Sequence, residues 1–216
     1  MKRYEIAPLR APLPKLAGIF DPEAEPFCQA HPGVCIDSYA WAGDYAPEAR
    51  AWMAWDGRGL HVLLCAKEAE ISVKAREFNG AVYQDSCLEC FLQPFLDDPR
   101  YVNVEVNALG VALIGFGAQR EDRIRLARLP ENMDIRASKH AGGWWAVAYV
   151  IPFALIGELF GGRTLLPGGG MRGNFYKCDE SIHPHFGSWN PIVSEKPDFH
   201  RPECFGLLEF APVAKG

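Results

Sequence analysis

One short segment of this chain carries polar side chains at a spacing suited to ligand binding. Residues 101–107, Tyr-Val-Asn-Val-Glu-Val-Asn, alternate strictly after the first position. In a β-strand the valines would point to one face, and Asn103, Glu105 and Asn107 to the other. Two amides and a carboxylate in a row are well suited to hydrogen-bonding a polyhydroxylated ligand.

The preceding segment predicts a partner strand with a second carboxylate at its centre. Residues 83–94 place Glu89 there, and alternation puts Cys87 and Phe91 on the same side. Two glutamates inside strands and beside aromatic residues indicate a site on one face of a sheet.

Three interpretations of Glu89 and Glu105 follow from carboxylate chemistry. Each carboxylate could accept hydrogen bonds from neighbouring sugar hydroxyls. As a pair, the two could hydrolyse a glycoside if they lay at the separation that glycosidases use. In a purely structural role, each would cap buried amides or pair with Arg172 or Arg201. Binding or structure is favoured over catalysis, because an open sandwich face lacks the deep groove that encloses glycosidase acids.

The composition predicts a globular protein and excludes some partners. The 216 residues are 49% hydrophobic, which is typical of a folded chain. A net charge of −5 argues against nucleic acid as the main partner. No apolar run is long enough for a transmembrane helix, so no membrane partner is expected. Pro8, Pro12 and Pro14 follow the positively charged start, so no signal peptide is predicted.

Seven cysteines, an odd number, are spread along the chain. Cys87 and Cys90 form a C-x-x-C pair, but residues three apart in a strand point to opposite faces, so this pair is not expected to chelate a metal. Cysteines within apolar strands behave instead as small hydrophobes. Such cysteine usage favours a reducing compartment, and hence a cytoplasmic location.

The histidines offer a different hypothesis, a transition-metal site. His183, His185 and His200 could supply three imidazoles, with Asp179 and Glu180 nearby in the sequence. The first two histidines lie in a loop rich in proline and glycine, where polar residues are common, so this hypothesis is the less favoured one.

The spacing of turn residues predicts an all-β fold. Many short strands without long amphipathic helices are typical of an immunoglobulin-like or jelly-roll type antiparallel β-sandwich, here with one short helix near residues 152–160. A single domain over 1–216 is expected, with its core at about 34–211 and an irregular N-terminal wrap over 1–33. The predicted strands cover residues 34–41, 51–55, 60–65, 86–95, 101–107, 111–116, 133–138, 144–151, 171–177 and 207–210.

Six motifs, in this order, resemble one known family. They are Trp55-Asp with Gly59-Leu, Gln84-Asp-Ser-Cys-Leu-Glu-Cys-Phe, Glu105-Val-Asn with Gly110, Val150-Ile-Pro-Phe, Asn174-Phe-Tyr with Ser188-Trp, and Phe199-His-Arg-Pro-Glu-Cys-Phe-Gly. Their order and spacing over residues 34–211 are similar to carbohydrate-binding module family 9 and its single-domain relatives. The resemblance implies a non-catalytic β-sandwich that binds the end of a sugar chain between two aromatic rings, as in the modules attached to xylanases.

Matched position by position, the resemblance implies aromatic rings at Tyr83 and Phe199 and a hydrogen-bonding carboxylate at Glu89. A basic sugar contact of the xylanase-linked members falls on Glu105, which is an acid here. The family's binding tryptophans are likewise replaced by Tyr83 and Phe199. The ligand-binding residues predicted from both lines of reasoning are Tyr83, Glu89, Glu105, Asn107, Phe199 and His200. No catalytic residue or certain cofactor is predicted, although the resemblance also brings in calcium as a structural ion without placing its ligands.

The leading hypothesis is therefore a non-catalytic carbohydrate-binding module. One alternative is a glycan-processing hydrolase that uses Glu89 and Glu105. The other is a cofactor-binding variant of the sandwich, with haem as the cofactor, since related sandwich domains hold such groups.

Overall fold

The fold is a sandwich of two sheets. It is seen in a computed structural model, which describes residues 1–18, 20–41, 43–138, 142–165 and 168–211. These ranges contain thirteen strands and two short helices, α1 (Pro26–Ala30) and α2 (Phe153–Leu159). The strands are β1 (Arg3–Pro8), β2 (Gly33–Cys35), β3 (Glu48–Trp55), β4 (Gly59–Lys67), β5 (Cys87–Gln93), β6 (Tyr101–Asn107), β7 (Ala112–Gly117), β8 (Ile124–Arg125), β9 (Arg136–Ala137), β10 (Trp144–Pro152), β11 (Gly170–Asp179), β12 (His185–Ser188) and β13 (Gly206–Phe210). Within the described ranges, neither helix is long and apolar enough to cross a membrane.

The two sheets share one strand. Sheet A has the order β8-β7-β6-β5-β11-β13-β1, with β12 also beside β11; sheet B has the order β1-β3-β4-β10-β9, with β2 also beside β3. The first four residues of β1 pair with β13 and its last two pair with β3, both in parallel. The other strand pairs among the described residues are antiparallel.

The prediction of an irregular wrap over residues 1–33 is wrong for its first part. Residues 3–8 form β1, and Tyr4 and Ile6 point into the core. Pro8 is compatible with β1 because it is the last residue of the strand, where its missing N–H does not break the hydrogen bonds between strands. Helix α1 also lies in this segment.

The inner faces of the two sheets form the main core. Val102, Val104 and Val106 point into it, which confirms the alternation predicted for β6. Trp55 and Trp189 are also core residues, as expected from their sequence context. The sandwich class predicted from the turn spacing is therefore correct.

Some predicted elements differ in length. The strand predicted over 34–41 is shorter in the structure, where β2 ends at Cys35. Ser38 does not continue β2 but forms an isolated bridge to Ser188. The strand predicted over 133–138 is reduced to β9. The short helix predicted near 152–160 is confirmed as α2, with Pro152 immediately before its first residue.

The outer face of sheet A is covered rather than solvated. Phe91 and Tyr101 from this face pack with Tyr176, Phe199 and other residues into a second apolar cluster. The polar residues of β6 are buried with them: Asn103 and Asn107 are 0% exposed and Glu105 is 2% exposed. A ligand can therefore reach this polar face only through an opening in the covering segments.

Candidate functional site

A pocket of about 230 Å³ opens onto the outer face of sheet A. It brings together five of the six predicted ligand-binding residues, namely Tyr83, Glu89, Glu105, Phe199 and His200. The remaining lining residues are Arg120, Arg123, Arg125, Cys178, Glu180, Phe186, Pro197 and Asp198. A larger groove of about 840 Å³ lies elsewhere, beside Leu9 and Phe153, but no buried carboxylate lines it.

The two glutamates stand side by side at the base of the pocket. Glu89 of β5 and Glu105 of β6 are direct partners in the antiparallel register. Glu105 Oε1 accepts hydrogen bonds from Asn103 Nδ2 at 2.8 Å and from Arg123 Nη1 at 3.4 Å. Its other oxygen, Oε2, is buried and has no hydrogen-bond partner among the described residues. Because an unpartnered buried acceptor is costly, Glu105 Oε2 is a candidate for contact with a ligand.

Burial controls the charge of this pair. Removal from water raises the pKa of Glu105 to about 7, and the nearby Arg123 guanidinium limits the rise. Burial also raises the pKa of Glu89 well above its usual value, and the neighbouring Cys178 and Glu105 groups raise it further. These shifts favour the protonated form of Glu89, so the pair can both donate and accept hydrogen bonds.

A largely enclosed arginine, with its side chain 11% exposed, and a neutral histidine frame the carboxylates. Arg123 Nη1 lies 2.8 Å from His200 Nε2, and Tyr101 Oη lies 2.8 Å from His200 Nδ1. Since a guanidinium only donates, Nε2 is assigned as the acceptor and Nδ1 as the protonated nitrogen. Burial and the Arg123 charge lower the pKa of His200 to about 2, so the ring stays neutral and holds Arg123 in place.

The arginines of the pocket were not predicted from the sequence. They come from β8 and the segment before it, a short run of mixed charge after Gly117 that is indistinguishable in sequence from a solvated loop. The predicted partners of the glutamates were Arg172 and Arg201, and that prediction is wrong. Arg172 donates to the backbone oxygens of Glu203 and Phe205, and Arg201 donates to the Glu203 carboxylate.

The two predicted aromatic residues line the pocket in different ways. Tyr83 lies in a 3-10 turn, Val82–Gln84, and is half-buried. Phe199 is 8% exposed and stacks on Tyr176 with ring centroids 4.2 Å apart and planes 9° apart. Because Tyr176 covers one face of the Phe199 ring, only the other side of that ring remains for a ligand.

Asn107 lies outside the pocket lining, unlike the other predicted residues. Its Nδ2 donates to Asp85 Oδ2 at 2.9 Å and to the Ala75 carbonyl at 3.0 Å. Its Oδ1 accepts from the backbone N–H groups of Leu109 and Val111. With both ends of its amide engaged, Asn107 anchors the segment that leads into Tyr83 and has no group left for a ligand.

The family model described as carbohydrate-binding family 9 matches residues 28–210. The chain belongs to carbohydrate-binding family 9. No curated protein matches it. Among solved structures, a Bacteroides uniformis protein described as a "putative carbohydrate-binding protein" is similar at 31% identity and a TM-score of 0.78, covering 97% of this chain and 99% of that one.

Two structures of a family 9 module from Caldicellulosiruptor kristjanssonii share the fold. One is in complex with glucose and the other with cellotriose, each with 14% identity and a TM-score of 0.65. The glucose complex covers 100% of this chain and 98% of its own, and the cellotriose complex covers 99% and 95%. At this identity, they establish the sandwich of this family 9 chain.

The departure of this family 9 chain at Glu105 has a structural counterpart. The resemblance implied a basic sugar contact at that position. In the folded chain, Arg123 lies between β7 and β8, and its guanidinium nitrogen is 3.4 Å from the Glu105 carboxylate. The pocket therefore contains a cation next to the position where the sequence has an acid.

The side chains that could bind a metal are not the histidines that the sequence suggested. His183, His185 and His200 are not brought together. Within the described ranges, one group of three or more candidate ligand atoms lies within 4.8 Å, and its members are Cys87, Glu89 and Cys178. Calcium stays a prediction without a located site, because this group contains two thiols.

Proposed function

We propose that the pocket of this family 9 protein binds the terminal unit of a carbohydrate without cleaving it. The buried, unpartnered Oε2 of Glu105, a residue that lines the pocket together with Tyr83 and Phe199, carries the proposal. The pocket volume of about 230 Å³ is below the roughly 300–1,000 Å³ of pockets for drug-sized ligands. This volume suits a single sugar unit.

Each group in the pocket has a role that sugar chemistry requires. Aromatic rings pack against the C–H bonds of a pyranose, which Tyr83 and the open side of Phe199 provide. Glu105 accepts from hydroxyl groups, and protonated Glu89 donates to one. Arg123 donates to a sugar oxygen from the direction fixed by His200. The glucose and cellotriose complexes of the structurally similar module support this class of ligand.

Hydrolysis is not supported by the positions of the two glutamates. In a glycosidase the two carboxyl groups flank the scissile bond: one protonates the leaving oxygen, and the other attacks the sugar or activates a water from the opposite side. Glu89 and Glu105 are cross-strand partners on one sheet face, so both would meet the same side of a bound sugar. Haem is not supported either, because both ring nitrogens of His200, the histidine that lines the pocket, are engaged by Tyr101 and Arg123.

Removing the Tyr83 ring tests the proposal. Isothermal titration of the wild-type protein with glucose, cellotriose and a panel of other mono- and oligosaccharides should identify a ligand. For that ligand, Tyr83→Ala is expected to raise Kd at least about tenfold, because a buried aromatic contact is worth upward of about 1.4 kcal/mol.

Tyr45→Ala is the matched control, since Tyr45 is also half-buried but lies outside the pocket lining. It should leave Kd unchanged. Flat heats across the panel with a folded wild-type protein would contradict sugar binding. Equal losses in Tyr83→Ala and Tyr45→Ala would contradict the location of the site.

A glycine-to-alanine change tests the role of Arg123. A Cβ on Gly115 of β7 would lie 2.6 Å from Asn103 Oδ1 and 2.8 Å from Arg123 Cδ. Gly115→Ala is therefore expected to displace Arg123 and weaken sugar binding several-fold by titration. Gly57→Ala, where no atom lies within 4 Å of the new Cβ, should bind as the wild type does. An unchanged affinity in Gly115→Ala would show that the position of Arg123 does not matter for binding.

A further inference from the structure

Two thiols and a carboxyl group lie in mutual contact at the floor of the pocket and directly behind it. The ligand atoms of Cys87, Glu89 and Cys178 all lie within 4.8 Å of one another, and all three residues are buried. Cys178 Sγ lies 3.1 Å from Glu89 Oε1. Both cysteines are free. Sugar binding as proposed above uses Glu89 but neither thiol.

The sheet itself brings these three groups together. Cys87 of β5 and Cys178 of β11 are direct partners in the antiparallel register. Glu89 lies two residues beyond Cys87, so its side chain projects from the same face. Donors on adjacent central strands are held more rigidly than donors on loops, which favours a preorganised site.

We propose that Cys87, Glu89 and Cys178 bind a thiophilic divalent cation of the zinc type, with the pocket supplying the fourth coordination position. In a tetrahedral zinc site with thiolate and carboxylate ligands, neighbouring ligand atoms are roughly 3.4–3.8 Å apart. The three atoms here are close enough to reach that geometry by side-chain adjustment alone. Two thiolates favour Zn²⁺ or Cd²⁺ over Ca²⁺ and Mg²⁺, which prefer oxygen ligands.

The pocket provides the entry path and the open position. Glu89 and Cys178 both line it, whereas Cys87 lies behind them. A cation held by these three groups would therefore present its fourth position to water or to a ligand oxygen, as in zinc sites with three protein ligands.

Proton release accompanies binding. Burial raises the pKa of Cys87 and of Glu89, and the contact with Cys87 together with burial raises the pKa of Cys178, so the protonated forms are favoured when no cation is bound. The cation must displace two thiol protons and one carboxyl proton as three coordinate bonds form, and three protons pass to solvent.

Cobalt, which takes the same sites as zinc and is coloured, provides the test. Reduced protein under argon, freed of metal with EDTA and desalted, is titrated with CoCl₂. We expect one Co²⁺ per chain, a near-ultraviolet thiolate-to-cobalt charge-transfer band and the intense visible bands of tetrahedral coordination, all bleached by ZnCl₂. Cys178→Ser and Cys87→Ser should each lose the charge-transfer intensity. Cys204→Ser, which removes a half-buried thiol outside the cluster, should retain it.

A second readout covers variants that do not fold. In wild-type protein, the slow alkylation that local opening permits, followed by peptide mapping, should be slower at Cys87 and Cys178 with ZnCl₂ than without it, and unchanged at Cys204. Folded wild-type protein without a thiolate-to-cobalt band, or a band that persists in the Cys87→Ser, Cys178→Ser double variant, would overturn the proposal. None of these measurements uses a sugar, so failure here leaves sugar binding untouched, and failure of sugar binding leaves the metal site untouched.

Discussion

Replacing Lys177 with methionine is expected to lower the free energy of unfolding by about 3–5 kcal/mol. Lys177 is 0% exposed, and its Nζ lies 3.0 Å from Glu68 Oε1 and 2.7 Å from the Cys178 carbonyl oxygen. Glu68 is also buried and accepts a 2.6 Å hydrogen bond from Trp145 Nε1. Methionine fills a similar volume but removes the ammonium group from beside the buried Glu68 carboxylate.

The neighbouring histidine does not replace this cation at neutral pH. His185 Nε2 lies 3.6 Å from Glu68 Oε1, but burial and the Lys177 charge lower the pKa of His185 to about 4. At neutral pH Lys177 therefore brings a positive charge to Glu68, and His185 does not.

Urea denaturation at pH 7 measures the effect. Arg3→Met is the matched control, because Arg3 pairs with Glu209 at the surface, where such pairs contribute at most about 1 kcal/mol. The double variant Lys177→Met, Glu68→Gln should recover part of the loss, since it removes the buried charge as well. A loss in Lys177→Met no larger than in Arg3→Met would show that the pair contributes little.

Replacing Glu89 with glutamine is expected to make the protein progressively more stable than the wild type as the pH rises from 5 to 8. The pKa of Glu89 in the folded state lies well above its usual value because of burial and the neighbouring Cys178 and Glu105 groups. Its contribution to stability is therefore fully present below the unfolded pKa and is lost as the pH rises toward the folded pKa. Each unit of pKa difference is worth about 1.4 kcal/mol.

Glutamine has no proton to lose, so the advantage of Glu89→Gln should grow from pH 5 to pH 8. Urea denaturation in the presence of EDTA, at several pH values, measures this growth without a bound cation. Glu131→Gln, at an exposed position, should show no such trend. A stability difference that does not change with pH would mean that Glu89 is not held protonated in the folded state.

The alternating strands were predictable because their pattern is local. A period of two in β6 and β5 fixes which residues share a face, so Val104 and Glu105 had to point apart. The same argument separated Cys87 from Cys90, and these two residues lie in different apolar clusters. Tyr83, Glu89 and Phe199 were then placed by the order of motifs, and all three line the pocket.

The N-terminal strand shows where local pattern was insufficient. Residues 3–8 contain one short alternation that ends at a proline. Their stability as a strand comes from parallel pairing with β13, at the other end of the chain, and with β3. Nothing within six residues signals partners that far away in the sequence.

The sequence by itself determined the sandwich and the identity of the residues on each strand face. Tertiary structure decided that the polar face of β6 is buried, that Asn107 anchors a loop, and that Arg123 and His200 enclose the glutamates. The physical reason is distance along the chain: Arg123 and His200 are 77 residues apart, and Cys178 and Glu89 are 89 apart. Such contacts depend on strand register and on the paths of the covering segments, which no local periodicity specifies.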